Sequence, residues 1–192
     1  PFLSSWINEK YKFHDTLLSS IIENALHAVA IDEIRSVFDV TPMQQKFPKP
    51  PHQTLRQIWF PGGHGCVGGG SREERGLSDA ALVWMIDQVK DLGLGLEFDS
   101  SRIEHGVQPD YRIPFDNEVK GVYALTGEHL RKLVGTCDGE LPQFHETVRQ
   151  RWQHIFANRN QQYRPENLKD YFESHPEVLQ AWSGVEQSLV QA

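Results

Sequence analysis

A single histidine, His64, stands in the stretch FPGGHGCVGGGS (Phe60–Ser71), half of which is glycine. An imidazole exchanges protons near neutral pH, so a histidine surrounded by residues without side chains invites a chemical reading. Three chemistries fit, beside one plain alternative. The first is nucleotide binding: Gly63, Gly65 and Gly68 spell G-x-G-x-x-G after a strand-like run. That fingerprint should enter a helix directly, and the next helical pattern is expected only at Ser78. No Gly-Lys-Ser/Thr follows, and Asp87 falls inside that helical pattern rather than at a strand end. The second is a metal site built on His64 and Cys66, but structural zinc takes four ligands, and Cys137 and His145 would have to be brought in. No metal and no cofactor is expected. The third is acid–base catalysis by an imidazole presented to a cleft. From the residues alone, a loop histidine bonded to backbone ranks ahead of all three.

The element that must deliver His64 is TLRQIWF (Thr54–Phe60), a short β-branched and aromatic run bounded by proline and glycine. Before it, FPKPPHQ (Phe47–Gln53) reads as a surface loop, because proline blocks both helix and central strand. Further upstream, Asp15 reads as an N-cap. Leu17, Leu18, Ile21, Ile22, Ala25, Leu26 and Val29 recur at helical spacing, which predicts a helix to about Arg35 carrying HAVAIDEIR. After the glycines, Ser78 is expected to cap a helix with Ala81, Leu82, Met85, Val89 and Leu92 on its apolar face, Asp79 in its first turn and Lys90 in its last, stopped by Gly93. Gly95–Gly121 reads as loop with one short strand. Helices are expected near 126–134, 143–157, 166–173 and 176–190, with Leu168, Tyr171 and Phe172 as apolar contributions. The class is α/β, helix-rich with few strands, and the 192 residues suit one domain.

The formal net charge of −7 works against nucleic acid as a partner. No apolar run reaches the roughly 18 residues that span a bilayer, so no integral membrane segment is expected. PFLSSWINEK has neither the basic start nor the apolar core of a signal peptide. The expected location is cytoplasmic, or outside the cell by a route without a cleavable signal. Pro1 in place of a starting methionine suggests part of a longer chain. Two cysteines far apart, Cys66 and Cys137, read as free thiols in a reducing compartment. The five tryptophans read as core or rim aromatics, and His105, His129, His145, His154 and His175 as surface or helix-end residues.

The segment QIWFPGGHGCVGGG…GLSDAALVWMIDQV changes this balance. It resembles the W-F-x-G-x-H-x-D-V-G-G-G and L-S-D-x-x-L-x-W-M signature of an α/β-hydrolase family that includes the phospholipase effectors of type VI secretion. HAVAIDEIR resembles that family's H-A-x-A-x-D-E-x-R through His27, Ala28, Ala30, Asp32, Glu33 and Arg35. HETVRQRW (His145–Trp152) resembles its H-x-S-V-x-x-R, with Thr147 in the serine position. The resemblance spans about residues 10–152, leaving 153–192 as a helical extension.

The resemblance implies the C-terminal part of an α/β-hydrolase-like domain. His64 would be the triad histidine, and Gly62, Gly63, Gly65, Cys66, Gly68, Gly69 and Gly70 would shape its loop. It further implies an esterase or lipase of phospholipase type, with an ester or lipid as substrate. Cys66 departs from the family's usual aspartate. The nucleophile motif G-x-S-x-G is absent from the chain, so the serine and the acid are expected in an upstream part of the same protein. Among in-chain acids, Asp32 could substitute, whereas Asp32, Glu33 and Arg35 read rather as a structural charge network, with Asp79 a further structural candidate. The competing reading is a catalytically inactive hydrolase-like binding module, and a nucleotide loop is a lesser one.

Overall fold

Thr54–Phe60 is the central strand, β2, of a three-stranded sheet in the computed structural model, which describes residues 16–119, 121, 127–156 and 161–189. Around it the described elements run β1 (Asn24–Ala30), a 3-10 turn (Ser36–Phe38), β2, α1 (His64–Gly68), α2 (Arg75–Asp91), α3 (Ser100–Gly106), β3 (Gln143–Phe144), α4 (Glu146–Gln153), β4 (Ile155–Phe156), β5 (Gln161–Gln162), α5 (Glu166–Ser174) and α6 (Pro176–Leu189). β1 and β3 flank β2, both parallel to it, and β4 pairs antiparallel with β5.

Because side chains alternate along a strand, the sheet offers two apolar faces. Leu26, Ala28, Ile58 and Phe60 meet Ala81, Trp84 and Met85 of α2 on one face. Val29 and Trp59 join Val148 of α4 and Leu168, Tyr171 and Phe172 of α5 on the other. Helices therefore cover both sides of a small parallel sheet, which is the α/β class. Trp59 is fully buried, and its indole N–H donates to the Val134 carbonyl at 3.1 Å, satisfying the one polar atom of that side chain.

The expected helix from Asp15 to Arg35 does not form where it is described: Asn24–Ala30 is a strand in register with β2, from Asn24↔Thr54 to Ala30↔Phe60. A strand buried on both faces reads as a nearly continuous apolar run, which mimics a helical stripe over a few residues. Ile21, assigned to that stripe, is 86% exposed. Asp15 and Trp6 lie outside the described residues.

Three further expectations are corrected. Gly95–Gly121 contains no strand among its described residues and instead holds α3, whose N-cap Asp99 accepts from the backbone N–H of Ser101 and Arg102. Residues 127–135 are not helical; Arg131 is drawn inward, donating to the carbonyls of Ala30 (2.7 Å) and Phe38, which terminate β1 and the 3-10 turn. The helix expected over 143–157 is cut to α4, since Gln143–Phe144 joins the sheet and Ile155–Phe156 pairs with β5.

The helix expected from Ser78 begins a turn earlier, at Arg75, and ends before Gly93 at φ 62°. Its Leu82 is 46% exposed rather than core. The helices near 166–173 and 176–190 form as α5 and α6. No helix among the described residues is long and apolar enough to cross a membrane.

Candidate active site

Two parallel strands end side by side, and the site is assembled on their C-terminal ends, the position where α/β sheets bind ligands. β1 runs into Ile31, Asp32 and Glu33; β2 runs into Pro61, Gly62, Gly63 and His64. The two turns are tied together by backbone bonds from Ile31 N–H to Phe60 O (2.9 Å) and from Asp32 N–H to Gly62 O (3.1 Å). A short helix follows the strand at once, contrary to the expectation that the next helix waits until Ser78. His64 is its first residue, Gly63 its N-cap, and Gly69 its left-handed C-cap at φ 89°.

Glu33 is the partner of His64. Its Oε2 lies 2.6 Å from His64 Nδ1 and also 3.4 Å from the His64 backbone nitrogen. Arg35 holds the same carboxylate in a fork, Nε to Oε1 at 2.7 Å and Nη2 to Oε2 at 2.6 Å, with its own N–H adding 3.0 Å to Oε1. Burial opposes ionisation of Glu33, but the Arg35 side chain and backbone and then His64 outweigh it, so the carboxyl is held down at about 2. An ionised carboxylate can only accept, so the proton of a neutral His64 ring sits on Nδ1 and the lone pair on Nε2. Among the described residues no hydrogen bond engages Nε2. The ring is half exposed, rests against Phe38 at 4.7 Å between centroids, and Arg35 lies over the Phe38 ring at 4.7 Å.

His64 lines a cleft of about 500 Å³ whose walls include Leu26, Ala28, Val67, Leu82 and Met85. The arrangement is a histidine with its tautomer fixed by a buried acid, opening on an apolar cleft. Its chemical capacity is to take a proton at Nε2 and to have the resulting imidazolium stabilised by Glu33.

Asp32, the in-chain acid expected as a substitute, serves the backbone instead. Its Oδ2 accepts from Gly62 N–H at 2.5 Å and from the Tyr163 hydroxyl at 2.7 Å. Burial raises its carboxyl to about 6 against the lowering effect of those two donors and of the Arg151 charge. The charge network read from the sequence therefore divides: Glu33 and Arg35 pair with each other, while Asp32 ties down the glycine turn. Asp79 is buried on α2 and accepts from Gln108 N–H at 2.7 Å, with Arg75 at 3.4 Å. It borders the cleft but is not joined to the His64–Glu33 pair.

The glycines have distinct reasons. Gly62 sits at φ 100°, and a Cβ there would come within 2.4 Å of Cys66 Cβ and 2.9 Å of its Sγ. Gly70 passes so close to Gly65 that a Cβ would meet the Gly65 Cα at 3.2 Å. Gly68 and Gly69 face open space. Cys66 is buried beneath this turn, and burial pushes its thiol up to about 12, which works against a free thiolate nucleophile there. Both cysteines are free. Among the described residues no group of three or more His, Cys, Asp or Glu side chains is placed to hold a metal.

Gly62→Ala is expected to destabilise the chain by about 3 kcal/mol, from left-handed strain plus overpacking. Gly63→Ala, where the nearest atom is Glu33 Oε2 at 3.6 Å and φ is −73°, should cost under about 1 kcal/mol. Equal shifts in urea midpoint for the two variants would refute the account of this turn.

His145 is structural. Its Nδ1 caps α4 by accepting from Thr147 N–H at 3.3 Å, and its ring stacks on Phe60 at 4.4 Å. Tyr163, which holds Asp32 from a position 131 residues away, gives no signal in the sequence. Glu33 does give one, as an acid at the end of an apolar run whose strand character resembles a helical stripe.

Residues 1–88 match the family model of the type VI secretion phospholipase effector Tle1-like catalytic domain. The match supports the effector family for the part of the chain that holds β1, β2, the Glu33–His64 pair, the glycine turn and most of α2; residues 89–192, including HETVRQRW, lie outside it. No curated protein and no solved structure matches the chain significantly.

Proposed function

We propose that this chain carries the acid–base part of a serine esterase centre that cleaves ester bonds of phospholipids, within an α/β-hydrolase-like domain. In this reading His64 Nε2 takes the proton of an attacking serine hydroxyl and returns it to the leaving alkoxide, and Glu33 holds the ring and its transient charge. The serine comes from a preceding stretch of the same polypeptide, next to the ends of β1 and β2. The apolar walls of the cleft suit an acyl chain. The observation that carries the proposal is the 2.6 Å contact of Glu33 Oε2 with Nδ1 of a half-exposed imidazole at the cleft. The Tle1-like match supports a lipid substrate.

A fluorophosphonate probe tests it. The longest natural protein should label stoichiometrically on one serine and hydrolyse a phospholipid, whereas residues 1–192 alone should remain unlabelled. The competing reading, an inactive hydrolase-like binding module, is favoured by the absence of G-x-S-x-G from these 192 residues. It gains the ground if the longest natural protein takes up no probe and releases no fatty acid.

A further inference from the structure

A second cavity, of about 280 Å³, shares no lining residue with the His64 cleft. It is bordered by Asp32, Phe115, Leu130, Arg151, Phe156 and Tyr163, among others. Arg151 is its unusual member. The residue is only 4% exposed and forms no direct salt bridge among the described residues; the charges of Asp32 and Asp110 act on it through space, which offsets only part of the cost of burying a cation. Two carbonyls, those of Tyr111 and of Ile113 (2.8 Å), accept from Nη1. Three aromatic rings surround the guanidinium, Phe115 and Phe156 at 5.0 Å and Tyr163 at 5.1 Å from its carbon. Its Nε–H remains buried without a hydrogen-bond partner. Native interiors rarely leave such a donor unmade, and an anionic acceptor would add a direct charge contact to those that Asp32 and Asp110 make only through space.

We infer that this cavity is a binding site for a short anionic amphiphile, a carboxylate or phosphate monoester on an apolar stem of a few carbons. The anionic oxygen accepts from Arg151 Nε, and the stem lies against the aromatic and aliphatic wall. The volume falls at the small end of ligand pockets, roughly 300–1,000 Å³, which excludes a whole diacyl lipid. Asp32 acts on Arg151 through space but makes no hydrogen bond to it, its Oδ2 accepting from Gly62 N–H and the Tyr163 hydroxyl, so the acceptor for Nε has to come from elsewhere. The carboxylate that borders this cavity grips Gly62, two residues before His64. The inference rests on Arg151 and its surroundings and does not depend on the esterase reading.

The test is an NMR titration of the 192-residue chain with hexyl phosphate, hexanoate, inorganic phosphate and hexanol, following the side-chain Nε–H resonance of Arg151 assigned by its loss in Arg151→Lys. Hexyl phosphate or hexanoate should move that resonance saturably, at least about tenfold more tightly than inorganic phosphate, while hexanol leaves it in place. Arg151→Lys should weaken binding at least about tenfold, read on backbone amides around the cavity. Should that variant fail to fold, Leu130→Trp is the second variant. Leu130 is 40% exposed at the rim, and a larger side chain there should block entry with Arg151 intact. A resonance unmoved by both amphiphiles, moved equally by hexanol or equally by inorganic phosphate, or binding that persists unweakened in these variants, would overturn the site.

Discussion

Replacing His64 by alanine in the full-length protein is expected to lower kcat for ester hydrolysis by about three to four orders of magnitude, with KM changed less than about threefold. The size follows from the role. Without a base at Nε2, the serine hydroxyl must shed its proton to water, and a transition-state interaction worth about 4–5 kcal/mol disappears. Substrate binding depends on the cleft walls, which the substitution leaves in place. The fold should hardly notice: the ring is half exposed and rests on Phe38, so the loss in stability should stay within about 1 kcal/mol. Steady-state kinetics beside a thermal melt separate the two effects. A folded His64→Ala protein within about tenfold of wild-type kcat would remove His64 from the chemistry.

Why His64 and its strand were legible while its partner was not is a matter of where information sits in the chain. TLRQIWF is bounded by proline and glycine, and its β-branched and aromatic residues read directly as β2. Gly62 had to be glycine for a reason internal to the turn, a positive φ over the Cys66 side chain, so the loop announced itself. β1 was obscured because a strand covered on both faces shows no alternation. Leu26 and Ala28 face α2, while Val29 faces α4 and α5. Once β1 is taken for a helix, Glu33 points nowhere in particular. Only the parallel register, Ala30 opposite Phe60, brings it to His64. Arg131, Arg151 and Tyr163 were beyond reach for a different reason. Each acts by a long side chain entering the interior from a distant segment, and charge or hydroxyl in isolation reads as surface. The same holds for residues 127–135, where an inward Arg131 displaces the helix that composition favours.

Glu33→Gln should come close to the histidine substitution, with kcat down by about three orders of magnitude, although it changes only one atom of the carboxylate. The amide presents one acceptor and one donor to three side-chain groups that all donate, Arg35 Nε, Arg35 Nη2 and His64 Nδ1, beside the backbone N–H groups of Arg35 and His64. If its oxygen serves His64, its NH2 opposes Arg35; if reversed, it drives the Nδ1 proton off and leaves the hydrogen on Nε2, where the base is needed. Either way the developing imidazolium loses its counter-charge. Glu33→Asp retains the charge at a longer reach and should restore part of the rate.

Stability supplies an independent check, with a definite sign. The folded carboxyl lies at about 2, below its ordinary 4.5, so Glu33 contributes stability that is present above 4.5 and lost as the pH falls towards 2. The difference corresponds to about 3 kcal/mol at about 1.36 kcal/mol for each pH unit. Asp32 acts in the opposite sense: raised to about 6 from 3.8, it stabilises below 3.8, and that contribution is lost as the pH rises through 6. Asp32 is present in both proteins, so its contribution cancels when wild type is compared with Glu33→Gln. Urea unfolding at several pH values should thus give two curves far apart at about pH 6 that converge between 4.5 and 2. Curves that stay parallel would mean Glu33 is not held as an anion by Arg35 and His64, and a variant that also kept its kcat would leave the imidazole without an acid partner in this chain.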